Sequence, residues 1–433
     1  MALSMFLVVP LLLWLSSQAS EAIAQATPQT ITLQSRATPY NMAKRRRALP
    51  PTSEPLADFF LGTDLQWSST QSFNFQFIRR MMRRWFGNLS IGSPPQVLTL
   101  FDTGSSTLEF ASTLCGQPCA NQVQFDPSKS STFVDGGRTS SITFATGVGV
   151  DPVVGANYRL TLRSATDTVA FGGLSATKVP LFLITNQTAK FSIDPFSGIQ
   201  GESTPFMKMR HRGSDLTLTC GLVGMGATAQ GIFAGLIGQG LPSLFGMYLA
   251  PKTVGNAELT LGGVDSAKFI GSPIFVSLPS GTGSTWQLAS PGISVNGKTT
   301  SLLHTSRTII FDSGTSNILF STNTANAIYA LISPDIKPNP NEPGTYGIAC
   351  DRIPSLPAMI DITFTSQTGA PFNLSIPSSE LSVGPFASDS SLCQTLINAF
   401  DGLELVGGSL LKHYYSIWDV GRRRLGFAPA AGV

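Results

Sequence analysis

Short runs of alternating or β-branched apolar residues, separated by glycine, proline, asparagine and serine, recur along most of this chain. Val97 to Phe101, Ser141 to Phe144, Tyr158 to Leu162, Glu258 to Leu261, Thr308 to Phe311, Ile360 to Thr365 and Tyr415 to Asp419 have the length and period of strands. Gly172-Gly173, Gly262-Gly263 and Asn296-Gly297 stand where hairpins would turn. Helical periodicity is sparse: Phe233 to Ile237, Thr324 to Ile332 and Leu392 to Phe400 carry the best of it. The pattern predicts a mostly-β protein, and the register changes after Leu259-Thr260-Leu261-Gly262-Gly263-Val264-Asp265, the predicted boundary between two halves.

Composition sharpens this. The 433 residues can hold two to three domains' worth of core. Only 12% are charged, which favours short strands and tight turns over solvated helices. The formal charge of +3 is concentrated at the start, in Arg36, Lys44, Arg45, Arg46 and Arg47 against the single acid Glu21; the remainder is close to neutral. With no basic stripe, nucleic-acid binding is not expected.

Leu3 to Leu15 is an apolar run too short to span a bilayer. Ala22-Ile23-Ala24 and Ala24-Gln25-Ala26 both fit small-x-small cleavage patterns, so residues 1–24 read as a secretory signal peptide despite lacking a positive start. Lys44-Arg45-Arg46-Arg47 is either a solvated charge cluster or, behind a signal, a processing site that ends a propeptide at 25–47. No second apolar stretch follows, so no membrane anchor is expected. Five cysteines suit an oxidising compartment: Cys115 and Cys119 could close a small loop and Cys350 and Cys393 a larger one, with Cys220 left over. Asn88-Leu89-Ser90, Asn186-Gln187-Thr188 and Asn373-Leu374-Ser375 are sequons available to a secreted chain.

One motif occurs twice. Leu100-Phe101-Asp102-Thr103-Gly104-Ser105-Ser106 returns as Ile310-Phe311-Asp312-Ser313-Gly314-Thr315-Ser316, about 210 residues later, roughly one domain length. Each copy puts an aspartate at the end of an apolar strand, a glycine where the backbone must turn tightly, and hydroxyls near enough to orient the carboxylate. A lone copy would be read as a turn or helix cap. Two copies, one per half, predict paired carboxylates at a shared site. At the ~3 Å separation of such dyads, two full charges would repel by roughly 5 kcal/mol at an effective dielectric of ~20. One proton is then shared; the ionised partner can take a proton from water while the protonated one donates to a carbonyl. The three histidines, His211, His304 and His413, show no metal-ligand spacing.

These residues resemble the pepsin-like aspartic proteases, over most of 54–430, in the manner of the secreted fungal members. Trp85-Phe86-Gly87-Asn88-Leu89-Ser90-Ile91-Gly92-Ser93-Pro94-Pro95-Gln96 looks like the family's first strand region, and Leu405-Val406-Gly407 like the hydrophobic-hydrophobic-Gly element behind its second active-site loop. Ser416-Ile417-Trp418-Asp419 and Leu425-Gly426-Phe427-Ala428 look like its last strands. The resemblance implies a two-lobed pepsin-like (acid protease) fold with the active-site cleft between lobes 48–265 and 266–433. It implies Asp102 and Asp312 as the catalytic pair, supported by Thr103, Gly104, Ser105, Ser313, Gly314 and Thr315. It also implies the disulfides Cys115–Cys119 and Cys350–Cys393, no cofactor and no metal, protein or peptide substrates, inhibition by pepstatin-type compounds, and a secreted, extracellular monomer made as a zymogen and active at acidic pH. The alternative is a catalytically silent binding or inhibitor-type relative; such proteins often lack one aspartate or its glycine, and both copies are intact here.

The chain departs from the family in two ways. The cleft-covering flap, which usually carries Tyr-Gly, aligns with Phe144, Ala145 and Thr146, and the usual partner of that tyrosine, a tryptophan, is Glu109. Both ends of one hydrogen bond are thus replaced together, leaving no orphaned donor. Second, two segments interrupt the alignment. Phe196-Ser197-Gly198-Ile199-Gln200-Gly201 and Gly221-Leu222-Val223-Gly224-Met225-Gly226 both resemble the first lobe's hydrophobic-hydrophobic-Gly element, with 202–224 between them as insertion or retained intron. Residues 68–85, ending in a second tryptophan after Trp67, invite the same two readings.

Overall fold

A computed structural model of the chain describes residues 28–39, 81–92, 96–100, 108–143, 157–191, 198–199, 227, 231–250, 257–283, 285–386 and 388–432. Among these, strand dominates and helices are few. The longest helix, Thr322–Ile332, starts where the Ser321 hydroxyl accepts from the Thr324 amide. It buries Thr324, Ala325, Ile328, Tyr329 and Ile332 along one face. The Gly231–Gly238 helix encloses the predicted Phe233 to Ile237.

The largest sheet has 13 strands among the described residues. Its centre is the Gln29–Pro39 strand, whose first half pairs with Ala257–Leu261 and whose second half pairs with Met81–Ile91. One side continues through Leu244–Tyr248, Tyr414–Asp419, Arg424–Pro429 and Ile274–Ser277; the other through Arg159–Phe171, Leu174–Gln187, Glu109–Ala111 and Gly198–Ile199. The second half adds sheets of five, three and four strands.

Turn chemistry explains two of the hairpins. Phe171 and Leu174 face each other across Gly172-Gly173, and both glycines have positive φ, as a two-residue turn matching strand twist requires. Asn296-Gly297 does the same between Val295 and Lys298. Gly262-Gly263 does not turn a hairpin. It ends the Ala257–Leu261 strand and leads into the Ser266–Lys268 turn, because both neighbouring positions of that strand are already filled.

The predicted helix Leu392 to Phe400 is also wrong. Leu392–Thr395 and Ile397–Ala399 are strands in two different sheets, and Cys393 through Asn398 are buried without interruption. The apolar spacing matched a helix, but a segment covered on both faces needs no periodicity. Cys393 is also tied to Cys350, and Cys115 to Cys119 in the first half.

The main core spans both halves. Phe245 stacks on Trp418 at 5.8 Å between centroids, and Trp286 meets Trp418 edge-on at 5.3 Å. The Trp418 indole N–H donates to the Ser416 hydroxyl at 2.8 Å, so this burial leaves no donor unpaired.

An ionic cluster ties the Ser378–Glu380 turn to the chain after the Gly408–Leu411 helix. Glu380 pairs with Lys412, and the His413 Nε2 lies 3.3 Å from its Oε1. Burial pushes the Glu380 carboxyl up, but His413 and Lys412 together outweigh burial and hold it below the usual glutamate range. A lowered folded-state value adds stability that is full above the unfolded glutamate value and is lost as pH falls through the lowered one. Glu380→Gln is therefore expected to cost about 2 kcal/mol at neutral pH and to make the acid limb of a thermal-midpoint-versus-pH curve shallower.

Candidate active site

Asp312 closes the Arg307–Phe311 strand. That strand runs parallel to Leu405–Val406, which on its other side pairs antiparallel with Ile318–Phe320. The 312–317 loop thus leaves and re-enters the sheet on either side of a strand of two residues. The Asp312 amide donates to the Val406 carbonyl at 3.1 Å, fixing where the side chain begins.

The carboxylate is held at both oxygens. The Gly314 amide donates to Oδ1 at 2.8 Å, and the Thr315 hydroxyl donates to Oδ2 at 2.5 Å. Asp312 is 2% exposed, and Ser313 and Thr315 are buried beside it. Of the predicted site residues, the structure thus brings together Asp312, Ser313, Gly314 and Thr315. Asp102, Thr103, Gly104 and Ser105, and the flap residues Phe144, Ala145 and Thr146, lie outside the described residues.

The loop is fastened from behind. Gly408 N–H donates to the Thr315 carbonyl at 2.7 Å and Ser409 N–H to the Ser316 carbonyl at 3.1 Å. Gly407 makes this approach possible, since a β-carbon there would lie 2.1 Å from the Thr315 carbonyl oxygen and 2.6 Å from that of Asn317.

In the first half, Glu109–Ala111 lies between Phe182–Ile184, parallel, and Gly198–Ile199, antiparallel. The second half has the same arrangement: Ile318–Phe320 lies between Ile397–Ala399, parallel, and Leu405–Val406, antiparallel. Ile199 therefore stands opposite Glu109 as Leu405 stands opposite Leu319. The strand in this place belongs to the earlier of the two candidate hydrophobic-hydrophobic-Gly segments; Gly221 to Gly226 lies outside the described residues.

Sequence reasoning missed the device at the far end of these strands. The Arg307 guanidinium donates to both carboxylate oxygens of Glu404 at 3.3 Å, to the Thr324 hydroxyl at 3.0 Å and to the Leu302 carbonyl at 2.8 Å. Glu404 also accepts from Thr324 at 2.9 Å. Arg307 and Glu404 expose only 9% and 15% of their side chains. They join the strand leading to Asp312 to the strand beside it. The signal in the sequence was a charged residue at the head of each apolar run. Removing one partner of a buried pair strands the other, so Arg307→Met is expected to cost about 3 kcal/mol or more in chemical denaturation, against much less for the double variant Arg307→Met, Glu404→Leu.

No group of three or more metal-ligating side chains occurs among the described residues, and none of their helices is long and apolar enough to cross a membrane.

The chain is similar to pepsin A of Suncus murinus, at 30% identity over 84% of this chain and 85% of that protein. It is similar to rhizopuspepsin-2 of Rhizopus niveus, at 30% over 80% of this chain and 79% of that one. It is 31% identical to pepsin-2B of Gadus morhua, over 80% of this chain and 96% of that protein. Residues 84–430 match the family described as eukaryotic aspartyl protease. The match takes in the Asp312 loop, the paired strands behind it and their counterparts in the first half, so the chain belongs to the eukaryotic aspartyl protease family, with the two-lobed pepsin-like fold and aspartic-type endopeptidase activity.

Proposed function

We propose that this chain is a secreted endopeptidase, made as a zymogen, that hydrolyses proteins at acidic pH with a water activated by Asp102 and Asp312. The observation that carries the catalytic part is the Asp312 carboxylate, buried and held at both oxygens by Gly314 and Thr315. The repeated motif gives Asp102 the same equipment in Thr103, Gly104 and Ser105. With one proton on the pair, the ionised aspartate takes a proton from water and the other donates to the scissile carbonyl. Since turnover needs that single shared proton, an acidic working range follows.

Residues 1–24 act as signal peptide and 25–47 as propeptide in this reading, with lobes at 48–265 and 266–433. The zymogen part is supported by the Gln29–Pro39 strand, which lies inside the propeptide and is laddered into the sheet along its length, its first half to Ala257–Leu261 and its second half to Met81–Ile91. Release after cleavage near Arg47 has to break those two ladders. Segments 68–85 and 202–224 are retained introns or insertions, and sequencing the spliced message separates the two. The enzyme works as a monomer and is blocked by pepstatin-type compounds.

Hydrolysis of an unfolded protein at acidic pH, with and without pepstatin, tests the assignment. Pepstatin-sensitive cleavage is expected; pepstatin-insensitive cleavage would refute the assignment, and pepstatin binding without cleavage would establish the silent, binding-type relative instead.

A further inference from the structure

The second half's three-stranded sheet ends in an open edge. Its order among the described residues is Gly292–Val295, Ile360–Thr365, Pro371–Ile376, so the last strand has a ladder on one side only. Leu374 and Ile376 are buried in the main core, while Pro371 and Asn373 are exposed on the other face.

An edge strand presents unpaired backbone groups that a strand of another chain can join. Here two of the outward positions are already blunted. The Ser375 amide donates to the Tyr414 hydroxyl at 2.7 Å, and that hydroxyl donates in turn to the Ser375 carbonyl at 3.4 Å. The backbone groups of Ser375 thus point away from Asp361, its ladder partner. Alternation along an antiparallel pair, here with no register shift, turns those of Pro371 and Asn373 the same way. Pro371 has no N–H to offer. Asn373 has both groups, and neither meets a partner beyond the ladder among the described residues.

The Asn373 side chain is placed to cover that gap. It opens the sequon Asn373-Leu374-Ser375. Its Oδ1 accepts from the Thr363 hydroxyl across the ladder at 2.9 Å, which leaves Nδ2, the atom a glycan occupies, without a protein partner. Resting on the secretory reading above, we propose that Asn373 carries an N-linked oligosaccharide that shields the open edge of this sheet from pairing with other chains. A glycan is bulky and solubilising, as such a shield must be. In the transfer, Nδ2 attacks the anomeric carbon of a lipid-diphosphate-linked oligosaccharide. The new C–N bond replaces the sugar–phosphate C–O bond, the lipid diphosphate leaves, and Nδ2 gives up one proton. The Ser375 hydroxyl donates to the Asp361 carboxylate at 2.5 Å in the folded chain, so the transfer precedes the pairing of these two strands.

The test expresses the full chain in a eukaryotic secretory host and maps the protein recovered from the medium. Peptide-N-glycosidase in heavy-oxygen water converts an occupied asparagine to labelled aspartate, which mass spectrometry reads. Label at Asn373 is expected, and Asn373→Gln is expected to lose the mass of one glycan while its thermal midpoint stays close to that of the unsubstituted protein. In sedimentation, Asn373→Gln should begin to self-associate at a lower concentration than the unsubstituted protein. Asn373→Lys, which sets a charge on the same edge, should not. Asn186→Gln, at an exposed sequon in a different sheet, is the control and is expected to leave association unchanged. Secreted protein without label at Asn373 would overturn the proposal and leave the secretory reading standing. A chain kept inside the cell with its leader uncut would overturn that reading and the proposal with it. An occupied Asn373 whose removal leaves association unchanged would defeat the shielding role.

Discussion

Asp312→Asn is expected to abolish peptide hydrolysis, lowering kcat by about a thousandfold or more, while the thermal midpoint stays close to that of the unsubstituted protein. The two halves of this expectation have separate causes. Asparagine is isosteric and keeps an acceptor for the Gly314 amide now bound to Oδ1. The Thr315 hydroxyl, a donor to Oδ2 in this structure, can rotate and accept from the new amide instead. The loop keeps its fastenings through Gly408 and Ser409, which touch only backbone. What asparagine cannot do is carry or share a proton at this site. Asp102→Asn is expected to match it, and the double variant to be little worse than either, since two groups that act on one water act as a unit. Single-turnover rates, together with pepstatin binding as a check on the intact cleft, measure this. Hydrolysis at a tenth of the normal rate in Asp312→Asn would place the chemistry elsewhere.

How much of this was legible beforehand depended on whether local chemistry determines the structure. Gly172-Gly173 and Asn296-Gly297 could be read because a two-residue turn needs positive φ and those residues supply it at little strain. The Thr322–Ile332 helix could be read because its cap and apolar stripe are both local. The Asp312 loop was legible for another reason: the chain repeats it, and chance rarely repeats a turn with the same flanks. The segment at Leu392 could not be read, because its structure is set by the two sheets it enters and by Cys350, all distant in sequence. The same holds for Leu405–Val406, a strand only because Ile310 and Ile318 lie on either side of it. Arg307 and Glu404 were two unremarkable charges until the parallel register brought them together. The site's carboxylate was therefore visible in the sequence, and the strand geometry that aims it was not.

That geometry converges on Gly407, where Gly407→Ala is expected to destabilise the second lobe by about 3 kcal/mol or more and to remove activity with it. An added β-carbon would lie 2.1 Å from the Thr315 carbonyl oxygen, 2.6 Å from that of Asn317 and 2.7 Å from the Thr315 carbonyl carbon. All three are backbone atoms, so no side-chain rotation can relieve the clash. They can yield only by moving the 315–317 backbone, which is also the backbone that holds the Thr315 hydroxyl against Asp312 and accepts from Gly408 and Ser409. Moving it breaks those hydrogen bonds inside a buried site, where each lost partner costs roughly 1–3 kcal/mol. The backbone conformation at Gly407 is itself extended, with φ −109°, so the cost comes from space and not from handedness. Gly297→Ala is the matching control: its φ is +74°, but a β-carbon there meets nothing within 4 Å, so the strain of one turn, about 1 kcal/mol, is all it should lose. Denaturant midpoints of the two variants, read beside their peptidase rates, separate the effects. Equal losses for both would mean that the loop behind Asp312 is far more compliant than its packing implies.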